Sequence, residues 1–332
     1  MEYRPLSTDF KDDILDSSNT GRKYRQITNN DGTMSLQDET TYQQVGSVYG
    51  AKEINEEREA INNIYANKLV TLDEIDLVTE KGFFVDALAV KELNSKLIVK
   101  INNAGAHNSI YRGKFLGNAV TPTQYDSIKA GTFEDLYIGD YWTIGGINYR
   151  IAAFDYYLNS GDTSCTTHHV VIVPDTCLHT GAMNSTNTTN GGYVGSAMYK
   201  SNLEQAKTTI KSAFSGHVLK HRIYLTNAVA NGRASGGAWC DSEVDLMCEQ
   251  MVYGSGIFSP VSDGSNTPAN YRVEKSQLPL FQYEPSRICN RATWWLRDVI
   301  TASVFARVDN NGYAGCAAAS HTLGVRPAFC IS

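Results

Sequence analysis

Histidines, cysteines and aspartates are the residues of this chain whose chemistry could support catalysis or metal binding. His168 and His169 are adjacent, and Cys165 lies shortly before them. Neighbouring residues of a β-strand point to opposite faces, so the two imidazoles are not expected to chelate one metal ion together. A thiol becomes an activated nucleophile only when the fold places a base within hydrogen-bond reach, and no motif indicates that here. We interpret the two histidines as ordinary strand residues and assign no catalytic role to Cys165.

The acidic residues and the other cysteines also lack the spacing of a metal site. Asp162, Asp241 and Asp245 do not fit the D-x-D-x-D-G pattern of a calcium loop. The 7 cysteines are odd in number and contain no C-x-x-C pair, which argues against a disulfide framework and a zinc site. We expect free thiols, as in a reducing cytoplasm. The sequence therefore predicts no catalytic residue, no metal and no cofactor.

The best candidates for recognition lie between two strand-like segments near the C-terminus. Residues 294–297 (WWLR) and 324–329 (GVRPAF) contain aromatic and branched residues that favour strands. Residues 301–323 show neither helical nor strand periodicity, so we expect an irregular surface held at both ends. Segments fixed in this way by a scaffold commonly carry function. The predicted ligand-binding residues of this segment are Thr301, Val304, Arg307, Asp309, Tyr313, Gly315, Cys316, Ala317, His321 and Leu323.

Trp239 is a further candidate, at the rim of the same binding face. The alternative is that Trp239 is a buried anchor beneath a helix that begins near Ser242. The other tryptophans considered are interpreted as core, because large aromatic side chains dominate core burial: Trp142, Trp294 and Trp295. Arg297 and Arg326 lie in the strand-like segments, and we expect them to donate hydrogen bonds to carboxylates or backbone carbonyls beneath the surface.

Composition narrows the classes of function. A chain of 332 residues with 42% hydrophobic residues can build a core and suggests two units, or one large domain with an extension. A formal net charge of -6 argues against a nucleic-acid partner bound through its phosphates. No apolar run approaches ~18 residues, and the N-terminus has no secretion signal, so we expect no membrane insertion. The 19 tyrosines and the low charged fraction of 19% suit an adaptable contact surface.

The chain changes character twice. Residues 1–50 predict short strands and turns, including a hairpin in which residues 23–28 and 33–38 flank an Asn-Asp-Gly turn. Residues 51–100 predict helices. Their apolar stripes are Ile54, Ile61 and Ile64 in the first, and Val90, Leu93, Leu97 and Ile101 in the second.

Residues 101–332 predict a globular domain. A capping box at residues 121–124 opens a helix that ends at Gly131, and an amphipathic helix runs from residue 203 to 214. A further helix is predicted from Ser242, where Ser242 and Asp245 fit a capping box, to Gly254. Strands are predicted at 141–144, 147–157 and 168–173, and loops at 179–195 and 255–270. Few helices and many short strands, one of them C-terminal, predict an α+β fold.

The C-terminal segment resembles a known protein family. WWLRD at 294–298 and GVRPAF at 324–329, with the mixed segment between them, resemble the variable region of C-type-lectin-like proteins that retroelements diversify in bacteriophages. In that family, error-prone copying randomises adenines, often in Asn codons, and leaves the scaffold unchanged. The occupants of 304–323 belong to the set that altered Asn codons encode. The resemblance implies a C-type-lectin-like domain at 101–332 with a variable-type segment at 294–329. The alternative is a fixed loop in an ordinary lectin-like domain.

The N-terminal part carries a second resemblance. Residues 30–55 resemble the first segments of phage tail and baseplate proteins, and residues 85–97 resemble linker helices of tail fibres, which bundle about a threefold axis. The resemblance implies that residues 1–50 form a particle-attachment β module and that 51–100 form a helical linker and oligomerisation segment. The alternatives are the first hairpin of the main fold and a helix packed on its own domain.

Together these resemblances imply a phage tail receptor-binding protein, located on the virion and assembled in the cytoplasm of the bacterial host. The expected partners are a host-cell surface receptor (protein or glycan), other tail or baseplate proteins, and further copies of the chain in a homotrimer. We expect binding and not an enzyme. One alternative is a structural tail or head decoration protein with no host ligand. Another is a glycan-degrading enzyme, which needs two carboxylates in a cleft. Formylglycine-generating oxidases share the general fold, but Cys316 and Cys330 lack a matching motif.

Overall fold

The structure of the protein is a computed structural model that describes residues 9–67, 69–79, 81–259 and 276–332. Two compact units divide the chain, one at Met1–Lys96 and the other at Leu97–Ser332. The predicted separation of residues 1–50 from 51–100 stays a prediction. In the described part of the chain, no helix combines the length and apolar character needed to cross a membrane.

The first unit contains short strands followed by helices. Its elements, in chain order, are β1 (Ile14–Leu15), β2 (Tyr24–Thr28), β3 (Met34–Asp38), β4 (Tyr42–Gln44), α1 (Ala51–Asn67), β5 (Leu69–Val70), a 3-10 helix (Leu72–Leu77), β6 (Phe84–Val85) and the start of α2 (Ala87–Ile101). Strands β2 and β3 form the predicted hairpin, and Gly32 in its turn has a φ of +82°, which glycine adopts without strain. The predicted apolar stripes of both helices are exposed to solvent.

The second unit is a mixed α+β fold. Its helices are α3 (Ala104–His107), α4 (Pro122–Ala130), α5 (Gly192–Gly195), α6 (Glu204–Phe214), α7 (Glu249–Tyr253) and α8 (Pro279–Tyr283), with a π-helical turn (Met198–Asn202) and a 3-10 helix (Pro285–Arg287). Its strands are β7 (Phe115–Gly117), β8 (Tyr141–Ile144), β9 (Ile147–Phe154), β10 (Val170–Pro174), β11 (His179–Gly181), β12 (His221–Ala230), β13 (Arg233–Ser242), β14 (Val244–Leu246), β15 (Trp294–Val299), β16 (Val304–Val308), β17 (Ala314–Ala318), β18 (Leu323–Val325) and β19 (Pro327–Ile331).

Two sheets organise this unit. The larger has six strands in the order β14-β19-β10-β9-β8-β7, and the smaller has five in the order β11-β18-β15-β16-β17. Every residue of β10 and β19 is buried, so the C-terminal strand lies inside the core. Strands β12 and β13 form a separate hairpin.

Arg326 lies where the chain passes from the smaller sheet to the larger one. Strand β18 ends at Val325 and β19 begins at Pro327. The Arg326 side chain is 1% exposed. Its Nε donates to the carbonyl of Pro174 at 2.8 Å, and Nη1 donates to the carbonyl of Arg287 at 2.9 Å. The predicted structural role of Arg326 is confirmed, and Arg297 similarly donates to the carbonyl of Leu246 at 2.9 Å.

Several predicted elements form as expected. Helix α4 opens with the capping box of Thr121 and Gln124 and ends at Gly131, which has a φ of 71°. Helix α6 covers the predicted amphipathic segment and buries Ala206, Ile210 and Phe214. The three tryptophans interpreted as core are fully buried: Trp142, Trp294 and Trp295.

The predicted helix from Ser242 to Gly254 is wrong over its first half. Strand β13 continues to Ser242, residues 244–246 form β14, and the helix α7 starts only at Glu249. Val244 pairs with Phe329 of β19, so the sheet supplies backbone hydrogen bonds that a helix would otherwise make. The Ser242 hydroxyl donates to the Asp245 side chain and does not cap a helix.

The expected irregular surface at 301–323 is also wrong, because residues 304–318 form the antiparallel hairpin β16–β17. The residues of β17 are small, so its sequence does not show the alternation of apolar and polar residues that indicates a strand. Two predicted strands have shifted ends: β10 begins at Val170, after the histidines, and β9 ends at Phe154. The loop at 179–195 contains β11 and α5. The loop at 255–270 lies mostly outside the described residues.

Candidate functional site

A concavity of about 480 Å³ lies on the smaller sheet, beside the C-terminal hairpin. It is lined by residues of β16, β17 and β18 and of the adjoining turns. The lining residues are Thr293, Val304, Arg307, Asp309, Asn310, Cys316, Ala317, Ala318, His321 and Leu323. Most residues of the predicted ligand-binding segment are therefore brought together here, and Thr293, Asn310 and Ala318 join them without having been predicted.

The turn between β16 and β17 forms one end of this concavity. The Asp309 Oδ1 atom accepts hydrogen bonds from the backbone N–H groups of Asn311 and Tyr313, both at 2.9 Å. Gly312 has a φ of +91°, which suits glycine. Asp309 thus shapes the turn in addition to lining the concavity.

Two side chains outside the predicted segment brace this turn. The Tyr253 hydroxyl donates to the Gly312 carbonyl at 3.1 Å, and the Cys289 thiol donates to the Asn310 carbonyl at 3.2 Å. Neither residue was predicted, because neither has a local sequence signal that relates it to residues 309–313. These two hydrogen bonds tie the turn to residues outside the hairpin.

Arg307 supplies the positive charge of the concavity. Its Nε donates to the Cys316 carbonyl on the neighbouring strand at 3.1 Å. Throughout the described ranges, no carboxylate oxygen lies within 4.0 Å of the Arg307 guanidinium, which makes no salt bridge. The terminal amino groups of Arg307 are therefore available to a ligand.

His321 lies at the opposite turn, between β17 and β18. Its side chain is exposed, and its backbone N–H donates to the Ala318 carbonyl at 2.9 Å. The loop at 179–195 supports this turn, since Asn184 N–H donates to the Ala319 carbonyl at 2.9 Å and Ser320 donates to Asn187 Oδ1 at 2.6 Å. The abundance of Asn, Ser and Thr in that loop was the sequence signal for this supporting role, because such side chains readily form hydrogen bonds with backbone groups.

The remaining predicted residues lie outside the lining. Tyr313 is 70% exposed at the tip of the turn, and Gly315 faces the Arg307 side chain. Thr301 lies in the turn before β16, where its carbonyl accepts a hydrogen bond from Thr189 Oγ1 at 2.8 Å. Trp239 lies in β13, half-buried, with its ring edge-to-face with Tyr224 at 5.5 Å.

The contacts of His168, His169 and Cys165 are structural. Asp155 joins both histidines: its Oδ2 is 2.7 Å from His168 Nδ1, and its Oδ1 accepts from the His169 N–H at 2.9 Å. Burial lowers the pKa of His169 and raises the pKa of the Cys165 thiol. A thiol with a raised pKa is a poor nucleophile. Among the residues that the structure describes, no group of three His, Cys, Asp or Glu side chains could hold a metal ion.

Comparison with known proteins adds one match. Residues 242–332 match the family model described as a domain of unknown function, DUF6273. This segment contains β14 to β19 and therefore all the residues that line the concavity. No curated protein and no solved structure gives a significant match.

Proposed function

We propose that the second unit is a C-type-lectin-like binding domain, and that the concavity beside β16 and β17 is its ligand-binding face. In the whole chain this domain would serve as the receptor-binding part of a phage tail protein, as the sequence resemblance implies. The observation that supports the proposal is the contrast between the buried strands that flank the segment and the exposed side chains that line the concavity. Trp294, Trp295 and Phe329 are at most 2% exposed, whereas Cys316 and His321 are exposed on the lining of the concavity.

The topology is consistent with this proposal. The C-terminal strand β19 lies between β14 and β10 inside the larger sheet, and a smaller second sheet presents the candidate face. The longer helices α4 and α6 accompany these sheets. Two helices, short antiparallel strands and long loops are the features that the C-type-lectin-like resemblance implies.

The lining favours binding over turnover. Within the described ranges, Asp309 is the single carboxylate that lines the concavity, and it accepts two backbone hydrogen bonds of its own turn. A glycoside hydrolase uses a pair of carboxylates on either side of the bond that it cleaves. A rigid face also lowers the free-energy cost of ordering on binding. We therefore propose that affinity depends on the displayed side chains.

The exposed helical stripes of α1 and α2 support the proposal of a homotrimer. Several copies of a weak binding face on one particle give high avidity without any additional contact. Large exposed apolar faces are otherwise unfavourable in water. In this proposal, residues 1–50 attach the trimer to other tail or baseplate proteins.

Cell binding tests the function. The fluorescently labelled full chain is applied to a panel of bacterial strains, together with two variants that add the same side chain. Ala317→Tyr places a tyrosine in the lining of the concavity, on the same face of the hairpin as Arg307, while Ala130→Tyr places a tyrosine at an exposed position on α4. We expect the parent and Ala130→Tyr to bind the same strains and Ala317→Tyr to lose or change that binding. Equal binding by all three proteins would rule out this face. Failure of the parent to bind any strain would favour a structural particle protein with no host ligand.

A genomic observation tests the retroelement part separately. A near-copy of the DNA that encodes residues 294–329, differing mainly at adenines and located near a reverse transcriptase gene, is the expected finding. Variation spread evenly over the codons of the scaffold and the hairpin would instead indicate a fixed binding segment.

A further inference from the structure

We infer that the concavity binds an acidic sugar residue of a surface glycan, and that the Arg307 guanidinium receives its carboxylate. This inference rests on the proposed function of the concavity as the ligand-binding face. It adds the chemical class of the ligand, which the fold and the comparisons do not supply.

The charge of the Arg307 guanidinium is not neutralised by a nearby carboxylate of the described residues. Its Nε is engaged by the Cys316 carbonyl, which fixes the plane of the guanidinium. The terminal nitrogens then form one edge with two parallel N–H donors, the geometry that fits a carboxylate. In the described residues, the protein itself offers no carboxylate within 4.0 Å of this edge.

The lining offers one positive charge to a ligand. Arg307 is the single Lys or Arg side chain of the described lining. The Asp309 carboxylate lines the same concavity, and its Oδ1 accepts hydrogen bonds from two backbone N–H groups of its own turn. One cation can neutralise one negative charge of a ligand, whereas a doubly charged phosphate would need more cations than this lining provides.

Polar side chains line the same concavity as Arg307. Thr293, Asn310 and His321 line the concavity, and among the described residues their side chains make no hydrogen bonds. A sugar ring carries hydroxyl groups that can use such donors and acceptors, whereas an acidic amino-acid side chain offers only its carboxylate. Ala317 lies on the same face of the hairpin as Arg307, and its small side chain leaves room for a ring. A volume of about 480 Å³ lies within the usual range for small-molecule sites.

Saturation-transfer NMR on the full chain tests the inference with three probes. D-glucuronate carries the carboxylate on a sugar ring, D-glucose has the same ring without the charge, and the α-amide of N-acetyl-L-glutamate has a single carboxylate without the ring. We expect saturation of glucuronate and much weaker signals from the other two. Equal signals from glucose and glucuronate would overturn the role of the carboxylate. A signal from the glutamate amide without one from glucuronate would overturn the sugar and indicate an acidic peptide.

Variants locate the site. Arg307→Gln keeps the length of the side chain and removes its charge, so we expect the glucuronate dissociation constant to rise about tenfold or more. Arg233→Gln is the matched control, because Arg233 is exposed on β13 outside the concavity lining. Both variants should show the parental melting temperature. An unchanged dissociation constant in folded Arg307→Gln would overturn the assignment.

The two proposals fail in different ways. If the chain binds cells in a manner that Ala317→Tyr abolishes, but no probe binds, only the acidic sugar is wrong. If Ala317→Tyr leaves cell binding intact, the concavity is not the binding face, whatever the probes show.

Discussion

Arg307 on β16 pairs directly with Gly315 on β17, and its Cζ lies 3.3 Å from the position that a β-carbon on Gly315 would occupy. Because Gly315 has no side chain, the guanidinium can lie across β17 and its Nε can reach the Cys316 carbonyl. Gly315 therefore determines where the positive charge of the concavity lies.

We expect Gly315→Val to displace the Arg307 side chain, because branched methyl groups would occupy the space of the guanidinium. Gly315→Ala should be tolerated, since its close contacts are all with the end of the flexible Arg307 side chain. The rate of phenylglyoxal labelling at Arg307, measured by peptide mass spectrometry, should rise in Gly315→Val and stay at the parental level in Gly315→Ala. Both changes should alter the free energy of unfolding by no more than about 1 kcal/mol. Parental labelling in Gly315→Val would contradict the role of Gly315.

Substitutions should separate the frame from the displayed residues. Trp295 is fully buried and its Nε1 donates to the Gly181 carbonyl at 2.9 Å, so Trp295→Ala should cost about 3–5 kcal/mol of unfolding free energy. The double variant Tyr313→Ser, His321→Asn should cost only about 0.5 kcal/mol per site, because both side chains are exposed. Chemical denaturation measures both. A double variant as unstable as Trp295→Ala would show that the segment belongs to the core.

Arg326→Met should destabilise the second unit by about 1–3 kcal/mol, because buried carbonyls lose their donor. The carbonyls concerned belong to Pro174, Arg287 and Ile288. Arg233→Met is the control, since Arg233 is exposed, and should change stability by less than about 0.5 kcal/mol. Equal unfolding midpoints for the two variants would mean that Arg326 does not hold the junction of the two sheets.

His221 should make the protein less stable in acid. Burial, together with a smaller effect of the nearby His169, lowers its pKa to about 3. Because the folded pKa lies below the ordinary value of 6.5, the unfolded chain binds the proton first as the pH falls. Stability should therefore decrease between pH 6.5 and about 3, by up to ~1.4 kcal/mol per pH unit.

His221→Phe tests this pH dependence and keeps a ring against Tyr157, whose ring centre lies 4.2 Å from that of His221. Urea denaturation at pH 7 and pH 4.5 gives the stability difference for each protein. We expect that difference to be smaller in His221→Phe than in the parent by about 1–3 kcal/mol. Identical differences would show that His221 takes up no proton on unfolding.

The exposed stripe of α2 should mediate association. Leu93 and Leu97 are 50% and 53% exposed, and they lie one turn apart on the same side of the helix. We expect the parent to be a homotrimer in light scattering and the double variant Leu93→Glu, Leu97→Glu to have a lower mass. Asn94→Glu, Ser95→Glu adds the same charge to the same helix and should leave the trimer intact. A monomeric parent at micromolar concentration would rule out the association.

The sequence by itself determined the elements whose signals are local. Helix α4 follows from Thr121, Gln124 and Gly131, because the groups that begin and end it lie within a few residues of each other. The β2–β3 hairpin follows from the turn at Gly32 for the same reason. The burial of Trp295 and Arg326 was also predictable, since the dense aromatic and branched segments around them fit only a covered strand.

Only the tertiary structure decided the state of residues 244–246 and 304–318. Val244 joins a sheet because β19 is there to pair with it, although the local pattern also suits a helix. The hairpin β16–β17 forms because each strand completes the hydrogen bonds of the other, while alanine and glycine on β17 give no alternation to read. The grouping of Thr293, Arg307 and His321 around one concavity has the same origin. Distances between residues far apart in sequence depend on strand pairing across the whole domain, and short-range patterns contain no information on that pairing.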